Sequence, residues 1–196
     1  MTDPFTHLSK LGRGRHLHFG CGPHILAGPW ENFDRDVDIR KPLAFPDLCA
    51  AHIMAEHVIE HVDFRSGMRF LRECRRLLEP GGVLRLAFPD VTRFDCDDPE
   101  NMSGSTRLYL DFLQGLNEPS EQVQDIYRFI LDGSGHQSCW TFEVGFACLL
   151  ASGFRRVDSC EYAHSEHPML NGIDGHHLTS SLTAATLETT ILEATK

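Results

Sequence analysis

Residues 15–24 read Arg-His-Leu-His-Phe-Gly-Cys-Gly-Pro-His, and this stretch decides the fold. Leu17 and Phe19 alternate with polar neighbours in a short run bounded by glycine, which predicts a half-buried strand over 15–19. Gly20-Cys21-Gly22-Pro23 then predicts a sharp turn. Two glycines directly after a first strand let a backbone approach a ligand closely. An isolated G-x-G also serves ordinary tight turns, so the rest of the chain has to decide its meaning.

Outward from this turn, Trp30–Phe33 is a second strand candidate ending at Asp34. The linker before it holds two prolines and a glycine, with room for one short helical turn. Residues 37–47 predict a loop with room for a brief strand. Ala50–Ala55 reads as a buried strand. Apolar residues at 64, 68, 71 and 78 predict a helix over 64–78, stopped by Pro80-Gly81-Gly82. Val83–Phe88 is the clearest strand. The stretch 94–135 is acidic at first and then carries two helical patterns. Leu108, Phe112 and Leu116 share one face, and Val123, Tyr127 and Ile130 another. Residues 141–152 predict a helix with Gly153 as its stop, and residues 154–160 and 187–194 the last strands. Strands alternating with helices imply an α/β fold with a mostly parallel sheet covered on both faces.

The composition is that of one globular domain spanning residues 1–196, at 41% hydrophobic and 23% charged. Its net charge of −10 argues against nucleic acid and anionic lipid as partners, since phosphate binding needs a basic footprint. No apolar run approaches the roughly 20 residues that span a bilayer, and the first ten residues lack a signal-peptide apolar core. The seven cysteines are scattered without a C-x-x-C pair. Reduced, mostly buried thiols in a cytoplasmic protein are the expectation, with no metal site assigned.

In sheets of this kind ligands bind beyond the carboxyl ends of the strands. The residues there are Gly20–Gly22, Asp34, Asp38, Glu56, His57 and Asp90. An acid ending the second strand accepts from ribose hydroxyls. Asp38 could accept from an adenine amine while Ile39 packs on the ring. Residues 57–61 match H-x-x-E-H, the inverted zinc-protease pattern, which needs both histidines on one helix face and a third ligand from elsewhere. Histidines 164, 167, 176 and 177 fall in a loop-like stretch that fits a segment passing over the cleft. Arg65, Arg69, Arg72 and Arg76 line one side of the 64–78 helix and read as a solvated face. Trp140 reads as core.

The order LHFGCG, NFD, DIRKPLAFPD, AEHVIEHV, FLRECRRLLEPGGVLRLAFPD and WTFEVGFACLLASGFRRV resembles the class I S-adenosylmethionine-dependent methyltransferases. It is most similar to the small members with the pattern LNLGCG … LPFPD … EHVLEH … LKPGG. The resemblance runs from about residue 15 to the C-terminus. It implies a Rossmann-like sheet of seven strands, the last antiparallel and supplied by 187–194. It implies a helical insert at about 94–135 that covers a small-molecule acceptor. The apolar faces of that insert can pack on the sheet or on a second copy of the chain, as in a homodimer.

Carried over residue by residue, the resemblance puts Gly20, Cys21 and Gly22 under the methionine part of S-adenosylmethionine. Asp34 would hold the ribose, Asp38 and Ile39 would flank the adenine, and Glu56 and His57 would face the sulfonium end. Two positions depart from the family pattern. His18 stands where an acid is usual, and His24 where a third glycine is usual. A neutral His18 can still accept from the cofactor's ammonium. Transfer to a hydroxyl, thiol or amine is helped by a base titrating near neutrality, for which His57, Asp90 and His136 are the candidates. The reading is a methyltransferase acting on oxygen, nitrogen or sulfur of a small molecule. Its rivals are an S-adenosylmethionine-using enzyme that cyclises or cleaves, a non-catalytic binding module, and a zinc hydrolase built on H-x-x-E-H.

Overall fold

The computed structural model of the chain describes residues 14–94, 102–132 and 135–196. The elements follow in the order β1 (Arg15–Phe19), β2 (Trp30–Phe33), β3 (Ala50–Glu56), α1 (Phe64–Leu77), β4 (Leu78–Pro89), α2 (Gly104–Gly115), α3 (Val123–Asp132), α4 (Phe142–Ala151), β5 (Arg156–Cys160), α5 (Leu182–Glu188) and β6 (Thr189–Thr195). Short 3₁₀ turns sit at Ile59–His61, Val91–Arg93 and His176–Leu178.

The six strands form one sheet in the order β2-β1-β3-β4-β6-β5. β1 pairs in parallel with β2 and β3, and β3 with β4. β6 is the antiparallel strand, hydrogen-bonded to both β4 and β5. The chain leaves β1 toward β2 on one side and returns to β3 on the other. The carboxyl ends of β1 and β3 therefore flank a topological switch point, where open α/β sheets hold their ligands.

Among the described residues six strands are present rather than the expected seven. The sheet ends at β2 because residues 37–47 make turns instead of an edge strand. Their amides bond locally, Val37 to the Asp34 carbonyl and Lys41 to the Asp38 carbonyl. Pro42 and Pro46 have no N–H to offer a ladder. Arg76 on α1 takes up the loop instead. Its guanidinium donates to the carbonyls of Leu43 and Phe45 and to the carboxylates of Asp47 and Glu73. Glu73 in turn accepts from the Leu43 amide. Arg76 is thus a clamp and not part of a solvated stripe. The short helical turn expected between Gly22 and Phe33 is also missing, and hydrogen-bonded turns fill that linker.

The helices start where capping side chains are available. Asp63, Ser103, Thr141 and Ser181 each accept an amide of the first turn of α1, α2, α4 and α5. Leu84, Leu86 and Phe88 of β4 pack with Leu71, Leu77, Trp140 and Leu149 in the main core. Between them in the strand, Arg85 points to the opposite face and is fully buried. It pairs with Asp174 and Glu193 and donates to the carbonyls of Glu161 and His164, which pins segment 161–174 over that face. The insert helices close over their own small core of Phe94, Tyr109, Leu113, Val123, Ile126, Ile130 and Ala184. The buried face of α2 is Thr106, Tyr109, Leu110 and Leu113. Leu108 and Leu116 of the face expected from the sequence are about half exposed.

Candidate active site

The turn after β1 is built by left-handed glycines. Gly20 has φ +72° and Gly22 φ +48°. The amides of Gly20 and Cys21 both donate to the Phe33 carbonyl, which ties the turn to the end of β2. A Cβ on Gly20 would lie 2.6 Å from the Cβ of Val58, so this glycine lets the β1 turn meet the β3 turn. A Cβ on Gly22 would meet nothing within 4 Å, which leaves its backbone open to a ligand.

Gly20, Gly22, Asp34, Asp38, Ile39 and His57 line one open cleft of about 810 Å³, together with Val37, Val58, His61 and Val62. Asp34 is exposed in it, while Ile39 is buried against the core. Asp38 is bound by the Arg40 guanidinium and backbone amide and lies 3.4 Å from Lys41. The Arg40 contacts hold its carboxyl below the usual carboxylate range.

A second recess of about 210 Å³ lies between the glycine turn and segment 175–179, lined by Cys21, His24, Glu56, His57, His61 and His176 among others. Here Glu56 is buried, with both carboxylate oxygens accepting from the Gly175 amide and His24 3.7 Å away. Burial raises its pKa, but His24 and the Gly175 amide outweigh that and the net shift is downward. A Cβ on Gly175 would run into the His24 ring, so only glycine lets the two segments close. Of the histidine-rich segment, His176 lines this recess, whereas His164 and His167 line a separate pocket with Arg156, Asp158 and Glu193.

His18 is not among the residues lining the cleft; its ring packs edge-on against His24 of the recess wall, centroids 5.5 Å apart. It is buried, with Nδ1 3.0 Å from the Asn32 side-chain oxygen, and Asn32 is held in turn by the backbone of Leu26. Burial pushes its pKa down, which keeps the ring neutral in a network joining β1, β2 and the linker.

A third cavity, about 320 Å³, lies between the strand ends and the insert. His57, Glu60, His61, His136, His176 and Glu188 form its polar wall, and Tyr109, Phe112, Leu116, Phe129 and Ile130 its apolar one. Phe112 and Leu116, expected to pack on the sheet or a partner, instead face this cavity. His57 and His61 line all three spaces, so cleft, recess and cavity meet at the turn after β3.

His57 sits at that junction with φ +46°. Its ring stacks on His176, centroids 3.6 Å apart and planes 8° from parallel. Nε2 lies 2.9 Å from Thr189 Oγ1, and Nδ1 3.4 Å from Glu60 Oε1. Burial alone would lower its pKa, but the Glu60, Glu188 and Glu56 carboxylates outweigh it and raise the value. His176 is bonded to Glu188, which also accepts from the Tyr109 hydroxyl. His136 packs edge-on against His61 at 4.8 Å, and burial pushes its pKa down. Asp90 lies outside these spaces. It is buried and accepts from the amides of Thr92 and Phe142 and the hydroxyls of Thr92 and Thr190. This acid ties the end of β4 to α4 and β6.

The H-x-x-E-H pattern does not make an inverted zinc-protease helix. His57 ends β3 in a left-handed conformation, and only Ile59–His61 turn, as 3₁₀. The two histidines therefore do not share a helix face. Sequence reasoning missed Tyr109 and its partner Glu188, 79 residues apart, and Arg85, 89 and 108 residues from its partners Asp174 and Glu193. It placed Glu60 only in the H-x-x-E-H pattern and His176 only in the segment expected over the cleft.

Residues 27–86 match the family profile described as "Methyltransferase domain". No curated protein sequence matches the chain. A methyltransferase dependent on S-adenosylmethionine from Archaeoglobus fulgidus superposes with a TM-score of 0.53 at 17% identity, over 97% of this chain and 90% of that one. The chain has the fold of the class I S-adenosylmethionine-dependent methyltransferases. A Thermotoga maritima methyltransferase, described as a possible histamine N-methyltransferase, shares this fold with a TM-score of 0.50 at 15% identity, over 97% and 86% of the two chains. A Bordetella parapertussis chain described as a possible exported protein is also similar, with a TM-score of 0.53 at 12% identity, over 96% of this chain and 63% of that one. The resemblance read from the sequence stands. Among the described residues no strand lies outside β2.

The residues present suit the cofactor of that fold. The cleft volume lies within the roughly 300–1,000 Å³ of small-molecule sites. Its open glycine backbone, exposed acid and apolar Ile39 suit a charged nucleoside derivative.

Proposed function

We propose that the chain is an S-adenosylmethionine-dependent methyltransferase that modifies oxygen, nitrogen or sulfur of a small molecule. The observation that carries this reading is the continuity of the three spaces through His57 and His61. A methyl donor lying in the glycine-and-acid cleft would present its reactive end where the enclosed cavity opens. In this reading Gly20, Cys21 and Gly22 supply a close backbone surface, Asp34 accepts from the ribose, and Asp38 and Ile39 flank the adenine. Glu56 orients His24 and segment 175–179 around the recess.

S-adenosylmethionine, when bound, supplies a sulfonium methyl already activated for displacement. The chain's task is then alignment, exclusion of water and removal of a proton. The insert, at about 94–135, excludes water through Tyr109, Phe112, Phe129 and Ile130. Glu60 and Glu188 favour the protonated form of His57, so His57 can take up a proton at the cavity wall. Asp90 takes no part, because its donors are structural. Residues 1–196 form one catalytic domain in this reading. The acidic surface, the free cysteines among the described residues and the absence there of a helix able to cross a membrane suit work on a soluble acceptor in the cytoplasm.

Calorimetry with S-adenosylhomocysteine, together with mass analysis of the cofactor product, tests the proposal. Wild type should bind, and Asp34→Ala should weaken binding about 10–100-fold, as expected when a charged acceptor is lost at about 1.5–3 kcal/mol. Turnover should release S-adenosylhomocysteine. Unchanged affinity in Asp34→Ala removes Asp34 from the site, and release of methylthioadenosine replaces methyl transfer with cleavage.

A further inference from the structure

We propose that Glu60, His61 and His136 hold a divalent first-row transition-metal ion in the wall of the enclosed cavity. Glu60 is 1% exposed, and neither of its carboxylate oxygens accepts a hydrogen bond. Burying a carboxylate in this state is costly, and native structures rarely leave one so. Its ion-pair partner among the described residues is His57, whose Nδ1 lies 3.4 Å from one oxygen. One ligand atom each from Glu60, His61 and His136 lie within 4.8 Å of one another. A metal about 2.0–2.2 Å from each donor would draw them together by side-chain shifts of roughly 1 Å.

The backbone around the cluster is held in place. The amides of Gln137 and Ser138 both donate to the Glu60 carbonyl. The Gln137 side chain donates to the His61 carbonyl, and the Ser138 hydroxyl to the Val62 carbonyl. Four hydrogen bonds thus lock the segment carrying His136 onto the turn carrying Glu60 and His61.

Two imidazoles and a carboxylate suit zinc, iron or manganese better than magnesium or calcium. Three protein donors leave coordination positions open, and all three residues line the cavity. The neighbouring group of His57, His176 and Glu188 is spent on itself. His176 and Glu188 bond each other at 2.8 Å, and His57 Nε2 is taken by Thr189. The use of the ion rests on the methyl-transfer reading: an open position would hold an oxygen of the acceptor beside His57. Binding of the ion does not rest on that reading.

Chelator-treated full-length protein titrated with Co²⁺, followed by visible d–d absorption, and with Zn²⁺, followed by calorimetry, tests the site. Wild type should take up one equivalent of either ion. His136→Ala and Glu60→Gln should each weaken uptake by more than the roughly 10–100-fold that loss of an outer partner costs. His176→Ala should retain uptake. His136 lies in a half-buried connecting segment, so His136→Ala carries the test even where Glu60→Gln unfolds the chain. No stoichiometric uptake by wild type, uptake indifferent to His136→Ala, or uptake lost in His176→Ala would each overturn the proposal. S-adenosylhomocysteine binding to the metal-free protein is measured alongside. Its failure with metal uptake intact would refute the methyl-transfer reading and leave the site standing.

Discussion

Replacing Arg76 by alanine tests how the chain manages without an outer strand. The guanidinium makes two bonds to Glu73 at 2.8 and 3.0 Å, one to Asp47 at 2.6 Å, and one each to the Leu43 and Phe45 carbonyls at 2.9 Å. Hydrogen bonds to a charged group contribute about 1.5–3 kcal/mol each when isolated. The Asp47 bond is discounted, because that carboxylate is 72% exposed and a surface pair contributes little. The other four share one half-buried side chain and do not add. A net loss of about 2–3 kcal/mol follows. For a chain of this size each kcal/mol moves the melting temperature by about 2–4 °C, so the fall should be roughly 5–10 °C. Circular dichroism melting and urea titration read it directly. The 34–41 wall of the cleft runs into the clamped loop, so S-adenosylhomocysteine affinity should fall as well. Arg76→Lys should not restore either property, since an ammonium cannot reach two carbonyls and a carboxylate as a planar fork does. A melting temperature within about 1 °C of wild type would refute the clamp.

Gly20→Ala should destabilise the glycine turn and abolish cofactor-product binding, because its Cβ would collide with Val58 at a left-handed φ. A Gly20→Ala, Val58→Ala double variant should recover part of the stability, which urea titration would reveal; equal loss in both variants removes the contact as the cause. Acid should loosen the same wall. Arg76 holds the Glu73 carboxyl below its usual range, so its contribution is present above the unfolded value near 4.3 and is lost as pH falls from there through the lower folded value. Urea midpoints between pH 3 and 7 should therefore drop on the acid side, and less steeply in Glu73→Gln.

The sequence by itself determined the elements whose signals are local. Leu17 and Phe19 set β1 by alternation, Gly20 and Gly22 set the turn, and the spacing from Phe64 to Leu77 set α1. Asp34 was readable as a cleft residue because it follows β2 directly, and Asp38 and Ile39 because they lie in the loop that continues from it. Such features depend on neighbours a few residues away, where backbone sterics and hydrophobic periodicity act. Tertiary structure alone decided what depends on distant partners. Arg76 looked like surface until the 43–47 loop folded against it, and that contact replaced a seventh strand. Asp90 stood at a strand end like a catalytic acid, yet the amide of Phe142 and the hydroxyl of Thr190 claim it. His18 occupied the position of a cofactor acid, yet Asn32 turns it inward. The cavity beside His57 needed α2, α3 and segment 175–180 to close on the turn after β3. A carboxylate or imidazole carries the same letter whether it is solvated, capping or poised, and only the groups packed around it set its charge and its reach.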